Sequence, residues 1–182
     1  MDSRINAHVH NILNITDVEK QFIDAIKENA GYFQASDGID LGAGSGRFSV
    51  IIHKYVKHLY SVDVSNEAIM AMHRNLDKFR NVKIIKASRN GLPFEDSSVD
   101  VVFAANSFHD VPIGYEQEIK RVLNVGGRFI DLDWKKEETE FGPSVKIRFS
   151  EKEVIEKMKK QNFGLIKKQD IVTHYLLIFS KS

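Results

Sequence analysis

The chain has 182 residues, 42% of them hydrophobic, which is enough for one domain with a continuous core and too little for two ordinary ones. Lys plus Arg (26) nearly balances Asp plus Glu (25), so no global field directs the protein to nucleic acid, a membrane surface or a polyanion. The lack of cysteine excludes disulfides, thiolate metal sites, cysteine nucleophiles and thiol redox chemistry together.

The opening stretch MDSRINAHVHNILNIT carries polar groups throughout and no apolar signal-peptide core, and no apolar run is long enough to span a bilayer. A soluble, cytoplasmic protein is expected. Residues 1–15 show no periodicity and read as an N-terminal arm. Thr16 with Glu19 fits a capping box, and Val18, Phe22, Ala25, Ile26 and Ala30 fall on one helical face that Gly31 ends. Gly38 to Leu41 is a short strand running into a glycine cluster, and Arg47 to Val56 reads as helix. His58 to Val64 alternates as a strand, and Ser65 caps a helix bearing Ile69, Met72, Leu76 and Phe79.

Val82 to Ala87 is a third strand, Gly91 to Ser98 has turn chemistry, and Val99 to Ala105 (VDVVFAA) is the apolar run of a strand buried on both faces of a parallel sheet. Pro112 precedes a helix with Ile119, Val122 and Leu123 on its face, and Gly126-Gly127 turn the chain into a fifth strand, Arg128 to Asp133. Residues 135–149 are charged and irregular and read as a substrate-side insertion. Ser150 with Glu153 makes a second capping box for a helix to about Gln161. Two strands follow, Leu165 to Lys168 and Val172 to Phe179, joined too tightly for a parallel crossover. The expected fold is a single α/β domain over 1–182, doubly wound, with a seven-stranded, mostly parallel sheet and an antiparallel C-terminal edge.

The segment Asp40 to Arg47, DLGAGSGR, falls where the first strand meets the first crossover helix, the place where doubly wound sheets bind ligands. Gly42, Gly44 and Gly46 let the backbone turn sharply and approach a ligand closely. Asp63, about twenty residues past the first glycine, is placed to accept hydrogen bonds from ribose hydroxyls. Asp40 sits in a strand end that is otherwise apolar, where a carboxylate needs a partner or a positively charged ligand. The spacing departs from the G-x-G-x-x-G of nicotinamide and flavin sites, because Arg47 stands where the third glycine is needed. A ligand with an adenosyl end and a cationic, zwitterionic end fits better than a pyrophosphate.

These residues resemble the class I S-adenosylmethionine (SAM)-dependent methyltransferases. The match is nearest to their type 11 group, which includes the ubiquinone- and menaquinone-biosynthesis enzymes. The resemblance covers about residues 20 to 182 and is carried by DLGAGSGRFS (40–49), VDVSNEAI (62–69), GLPFEDSSVDVVFAANSFHDV (91–111) and IKRVLNVGGRFIDLDW (119–134). It implies a Rossmann-like methyltransferase fold and SAM as cofactor, with S-adenosylhomocysteine as product. It places Asp40, Gly42, Ala43, Gly44 and Gly46 beside the methionyl part and ribose, Asp63 on the ribose, and Val64 on the adenine face. Ser88 and Arg89 fall at the adenine and Asn106 at the methionine moiety. The family usually carries an acid where this chain has Ser88, which weakens that contact.

Because the SAM methyl is already electrophilic, positioning supplies much of the acceleration and a base is optional. His109 and Asp110, just past the fourth strand, are the candidates for proton removal. No metal is expected; His8 and His10 on the arm lack accompanying carboxylates. The expected function is methyl transfer to a small-molecule acceptor. Lid candidates are the arm and the stretch bearing Trp134, Lys135, Lys136, Phe141 and Arg148. No membrane or nucleic-acid partner is expected, because Lys152, Lys157, Lys159 and Lys160 alternate with Glu151, Glu153 and Glu156. The alternatives are an RNA or protein methyltransferase, a catalytically silent SAM-binding module that regulates a partner, and a nucleotide-binding oxidoreductase.

Overall fold

The computed structural model describes residues 17–28 and 33–182. The expected arm with His8 and His10, the Thr16 cap and the helix end at Gly31 lie outside them. Helix α1 covers Asp17–Glu28. The elements that follow are β1 (Asp37–Leu41), α2 (Ser49–Ile52), β2 (His58–Asp63), α3 (Asn66–Leu76), β3 (Val82–Lys86) and β4 (Val99–Ala105). A 3₁₀ turn (Phe108–Asp110), α4 (Tyr115–Val122), β5 (Leu123–Trp134), α5 (Glu151–Lys160), β6 (Phe163–Ile171) and β7 (His174–Lys181) complete the chain.

The seven strands form one sheet in the order β3-β2-β1-β4-β5-β7-β6. β1 pairs in parallel with both β2 and β4, while β7 is antiparallel to β5 and to β6. The strand order therefore reverses between β1 and β4, and a crevice opens outside their carboxyl ends.

Alternation along β4 divides the core. Val102 and Ala104 face a cluster that includes Ile119 and Val122 of α4 and Val154 and Met158 of α5. Val101, Phe103 and Ala105 face Phe22 and Ile26 of α1, with Phe33 and Ile52. Phe103 meets Phe22 and Phe33 edge-on, with ring centroids 6.4 and 5.8 Å apart, a favoured aromatic geometry. Both faces of the parallel strands are covered, as the apolar run of β4 requires.

The last two strands are shifted from the sequence reading, β6 running Phe163–Ile171 and β7 starting at His174, and two other elements differ for identifiable reasons. The helix expected over Arg47 to Val56 is regular only over Ser49–Ile52. Asn81 stops it, donating its side-chain amide to the carbonyls of His53 (2.7 Å) and Val56 (3.3 Å), so a tertiary contact takes acceptors that a longer helix would bond. The strand expected from Arg128 begins instead at Leu123 and carries Gly126 and Gly127 as a bulge. Val99 pairs with Leu123, and the next pair is Val101 with Arg128. Gly126 has φ +76°, a conformation that costs glycine little.

Ser65 caps α3 by accepting from the Ala68 amide. Ser150 and Glu153 close a full capping box on α5: the Ser150 hydroxyl receives the Glu153 amide, and the Glu153 carboxylate accepts from the Ser150 amide at 2.7 Å. That amide, with Lys136 and the Ser150 hydroxyl, pulls the Glu153 carboxyl down to about 2. Ser150→Ala is expected to destabilise the domain by about 1 kcal/mol, read as a lowered midpoint in thermal melting with the folded spectrum unchanged.

Candidate functional site

The glycine loop leaves β1 and crosses the end of β2. The amides of Gly42 and Ala43 both donate to the Val62 carbonyl, at 2.9 and 3.0 Å. The Gly44 amide donates to Asp63 Oδ2 at 2.9 Å, and the Ser65 amide to Asp63 Oδ1 at 2.9 Å. One carboxylate thus fixes the loop and the turn into α3, and each of its oxygens keeps a lone pair for a ligand.

The three glycines have different reasons to be glycine. All three adopt positive φ. A Cβ on Gly42 would lie 2.7 Å from Ser107 Cβ, and one on Gly46 would lie 2.7 Å from Leu76 Cδ1. Gly42 lets the loop pass the end of β4, and Gly46 lets it pass α3. A Cβ on Gly44 would meet nothing within 4 Å, so its bare backbone faces the open crevice.

That crevice has a volume of about 460 Å³ and is lined by Leu41, Gly42, Gly44, Val62, Asp63, Val64, Ala87, Arg89, Asn106, Ser107, Asp110, Val111, Pro112 and Tyr115. Of the residues singled out in the sequence, Gly42, Gly44, Asp63, Val64, Arg89, Asn106 and Asp110 converge here. Asp40, Ala43, Gly46, Ser88 and His109 lie outside this lining. The Ser88 side chain turns back into its own loop, accepting from the Asn90 amide at 3.2 Å. Tyr115 anchors the same loop, donating its hydroxyl to the Ser88 carbonyl at 2.7 Å.

Asp40 lies beneath the loop, 1% exposed. It accepts from Ser49 Oγ at 2.5 Å, and Ser49 in turn accepts from Ser61 Oγ at 2.8 Å. Burial raises the Asp40 carboxyl to about 6, the Ser49 hydrogen bond opposing and the nearby Asp63 charge adding to the rise. A carboxylate held this far from water favours a positively charged neighbour.

His109 faces inward rather than into the crevice. Its Nδ1 sits 2.8 Å from Asp133 Oδ1, and its backbone amide donates to Asp133 Oδ2 at 3.1 Å. Burial lowers the imidazole, but the hydrogen bond and charge of Asp133, with the Asp110 charge, outweigh it and raise its pKa. Asp133 and Asp131 share one face of β5. Burial, with the charge of Asp133, pushes Asp131 well above the usual carboxylate range.

Asp131 and Asp133 went unassigned in the sequence, although the alternation IDLDW places two acids on one face of an apolar strand. The irregular stretch 135–149 is organised by Arg148, which is 2% exposed. Its guanidinium donates to the carbonyls of Lys135, Glu137 and Pro143 and to Thr139 Oγ1, and it lies over Trp134 at 5.1 Å. A lid role for Arg148 conflicts with this full set of internal partners.

The crevice fits an adenosyl sulfonium on two counts. Bare backbone at Gly44 borders the Asp63 carboxylate, and Asn106 Oδ1 at the far end is buried with no partner among the described residues. The methyltransferase domain model of type 11 matches residues 39–131, just over half of the chain. The chain belongs to the type 11 methyltransferase family.

S-adenosylmethionine is the cofactor of this family. The uncharacterized methyltransferase YcgJ of Bacillus subtilis is 31% identical over 103 residues, 52% of this chain and 39% of that protein. Demethylmenaquinone methyltransferase of Clavibacter sepedonicus is 31% identical over 94 residues, 50% of this chain and 38% of that protein. The aligned part is thus about two fifths of the length of these curated relatives. A Sulfolobus solfataricus structure assigned to the type 11 methyltransferases is 30% identical with a TM-score of 0.69, covering 80% of this chain and 83% of that one.

Asp40→Asn in this methyltransferase domain keeps an acceptor for Ser49 and removes the charge. A raised folded-state pKa favours the protonated form, so the wild type gains stability as pH falls through about 6 toward the ordinary 3.8. Above pH 6 the variant is expected to be the more stable by about 2–3 kcal/mol, a lead that shrinks on acidification. Denaturant unfolding across pH 4 to 8 measures it.

Proposed function

We propose that this domain transfers the methyl group of SAM to a small-molecule acceptor. The observation that carries the reading is the single cradle in which the Gly44 amide and the Asp63 carboxylate are bonded at 2.9 Å. Side-chain-free backbone and a sugar-binding acid thereby address one ligand. When bound, SAM would supply a methyl group on a positively charged sulfur, an electrophile for an acceptor lone pair.

The remaining work belongs to the protein. Asp63 would accept from the ribose hydroxyls, and Val64, Ala87 and Arg89, which line the same crevice, would border the adenine. The unpartnered Asn106 Oδ1 would accept from the ammonium of the methionine moiety, and buried Asp40 would add negative charge beneath the glycine loop. Asp110 lines the crevice with an exposed carboxylate. His109 is a positioning residue: through Asp133 it ties the turn after β4 to β5, so Asn106 and Ser107 hold their places at the crevice end.

A small acceptor is supported by relatives named demethylmenaquinone methyltransferase and sterol 4-C-methyltransferase. It is also supported by the balanced surface, where Lys136 pairs with Glu153 and Lys168 with Glu151.

Calorimetry with SAM, S-adenosylhomocysteine and NAD tests the cofactor assignment. Binding of the first two and not the third is expected, and Asp63→Ala should weaken SAM by about tenfold or more in protein that still melts cooperatively. Ser88→Ala should leave the affinity nearly unchanged. Release of S-adenosylhomocysteine across a metabolite panel tests turnover; a protein that binds SAM and never releases that product is the silent module instead.

A further inference from the structure

A second cavity, of about 270 Å³, opens beyond the end of β4. Its walls are Val18 and Glu19 of α1, Arg47 and Phe48 after the glycine loop, Asn106, and the facing ends of β5 and β7 with their turn, Trp134, Thr173 and His174. Asn106 is the one described residue that lines both this cavity and the cofactor crevice. Asn106 stands between the two spaces, where the methionine end of SAM is assigned, and in-line displacement needs its nucleophile close to that end.

The walls state what they accept. The two charged ones satisfy each other, Arg47 Nε lying 2.6 Å from Glu19 Oε1, so the cavity presents no net charge. Phe48, Trp134 and His174 offer flat rings, with the Trp134 and His174 centroids 4.0 Å apart. The volume lies below the roughly 300 Å³ at which drug-sized pockets begin, which suits a single ring.

His174 is the residue with an unmet need. It is 3% exposed; its Nδ1 lies 2.9 Å from Thr173 Oγ1, and its Nε2 is buried with no partner among the described residues. Burial takes its pKa down to about 4, Arg148 and Lys135 adding to the fall and Asp133 opposing it, so the ring is uncharged at neutral pH. Whether Nε2 is the donor or the acceptor follows from the direction of the Thr173 bond, and a hydroxyl group can answer either. An unpaired buried nitrogen beside an aromatic wall therefore matches a ring that carries a hydroxyl.

We propose that this second cavity seats the methyl acceptor, and that His174 selects an uncharged aromatic ring bearing a hydroxyl group. The proposal rests on the assignment of the first crevice to SAM. His174 acts as a specificity residue: it contacts the acceptor and takes no part in the transfer itself.

The chain's single tryptophan, Trp134, forms a wall of the cavity and reports on its contents. In protein saturated with S-adenosylhomocysteine, 4-methylphenol is expected to change the tryptophan emission saturably. Toluene, which lacks the hydroxyl, cyclohexanol, which lacks the aromatic ring, and 4-hydroxybenzoate, which adds a charge, should each bind at least about fivefold more weakly.

His174→Phe keeps a ring against Trp134 and should bring 4-methylphenol and toluene to the same affinity. Val18→Phe fills the cavity from α1 and should abolish the response even if the histidine variant fails to fold. Calorimetric binding of S-adenosylhomocysteine should be unaltered in both variants. Absent saturable response to 4-methylphenol, or equal affinity for toluene, overturns the acceptor assignment while cofactor binding stands. If S-adenosylhomocysteine itself does not bind, both assignments fall.

Discussion

The site depends on one electrostatic constraint, a carboxylate kept at the end of the central strand where apolar side chains would pack more cheaply. Asp40 is surrounded by Ile39 and Leu41, both buried, and is kept hydrogen-bonded by a chain of hydroxyls, Ser61 to Ser49 to Asp40. Such a group is tolerable when paired and costly otherwise. The neighbouring Asp63 raises the cost, because two like charges oppose each other across the base of the loop. The arrangement is consistent with a ligand that brings positive charge, and a sulfonium with an ammonium beside it does so. A pyrophosphate would add a third negative element to the same place.

The loop above converts that charge into shape. Gly42, Gly44 and Gly46 alternate in sequence, yet only Gly44 leaves open space where a side chain would be; the other two clear Ser107 and Leu76. The glycine pattern therefore encodes two close packings and one exposed stretch of backbone. Asp63 joins the exposed stretch to β2 by taking the Gly44 and Ser65 amides. Removing any one of these parts shifts the others, which is why the motif reads as a unit.

What could be read from the sequence follows from the range of the forces involved. The order of strands and helices, the antiparallel edge, and the caps at Ser65 and Ser150 rest on local periodicity and short-range hydrogen bonds, so they were legible. The premature end of α2 was not, because Asn81, which takes the carbonyls of His53 and Val56, lies 28 and 25 residues away. The strand status of Gly126 and Gly127 was hidden likewise, since a glycine pair signals a turn locally and a bulge only when β4 is seen beside it. Among the crevice residues, Gly44 and Asp63 followed from motif spacing and Asn106 from the family resemblance. His174 followed from neither, because its environment is assembled from Trp134, Arg148 and Lys135, brought together by the antiparallel pairing of β5 with β7.

Asn106 stands between the two cavities. Its φ of +57° is a left-handed conformation that asparagine tolerates better than most residues and that clusters at functional positions. The strain is held by the end of the sheet: the Asn106 amide donates to the Leu132 carbonyl at 2.7 Å, and the next residue, Ser107, donates its hydroxyl to the Leu41 carbonyl at 2.6 Å. β4 is thereby tied to β5 on one side and β1 on the other at the point where its backbone reverses. An extended residue there would continue the strand and carry its side chain away from the junction. The left-handed turn instead leaves an amide group between two cavities, one bounded by the glycine loop and the other by His174 and Trp134. Geometry of this kind costs a protein stability, and it occurs here at the one described residue the two spaces share.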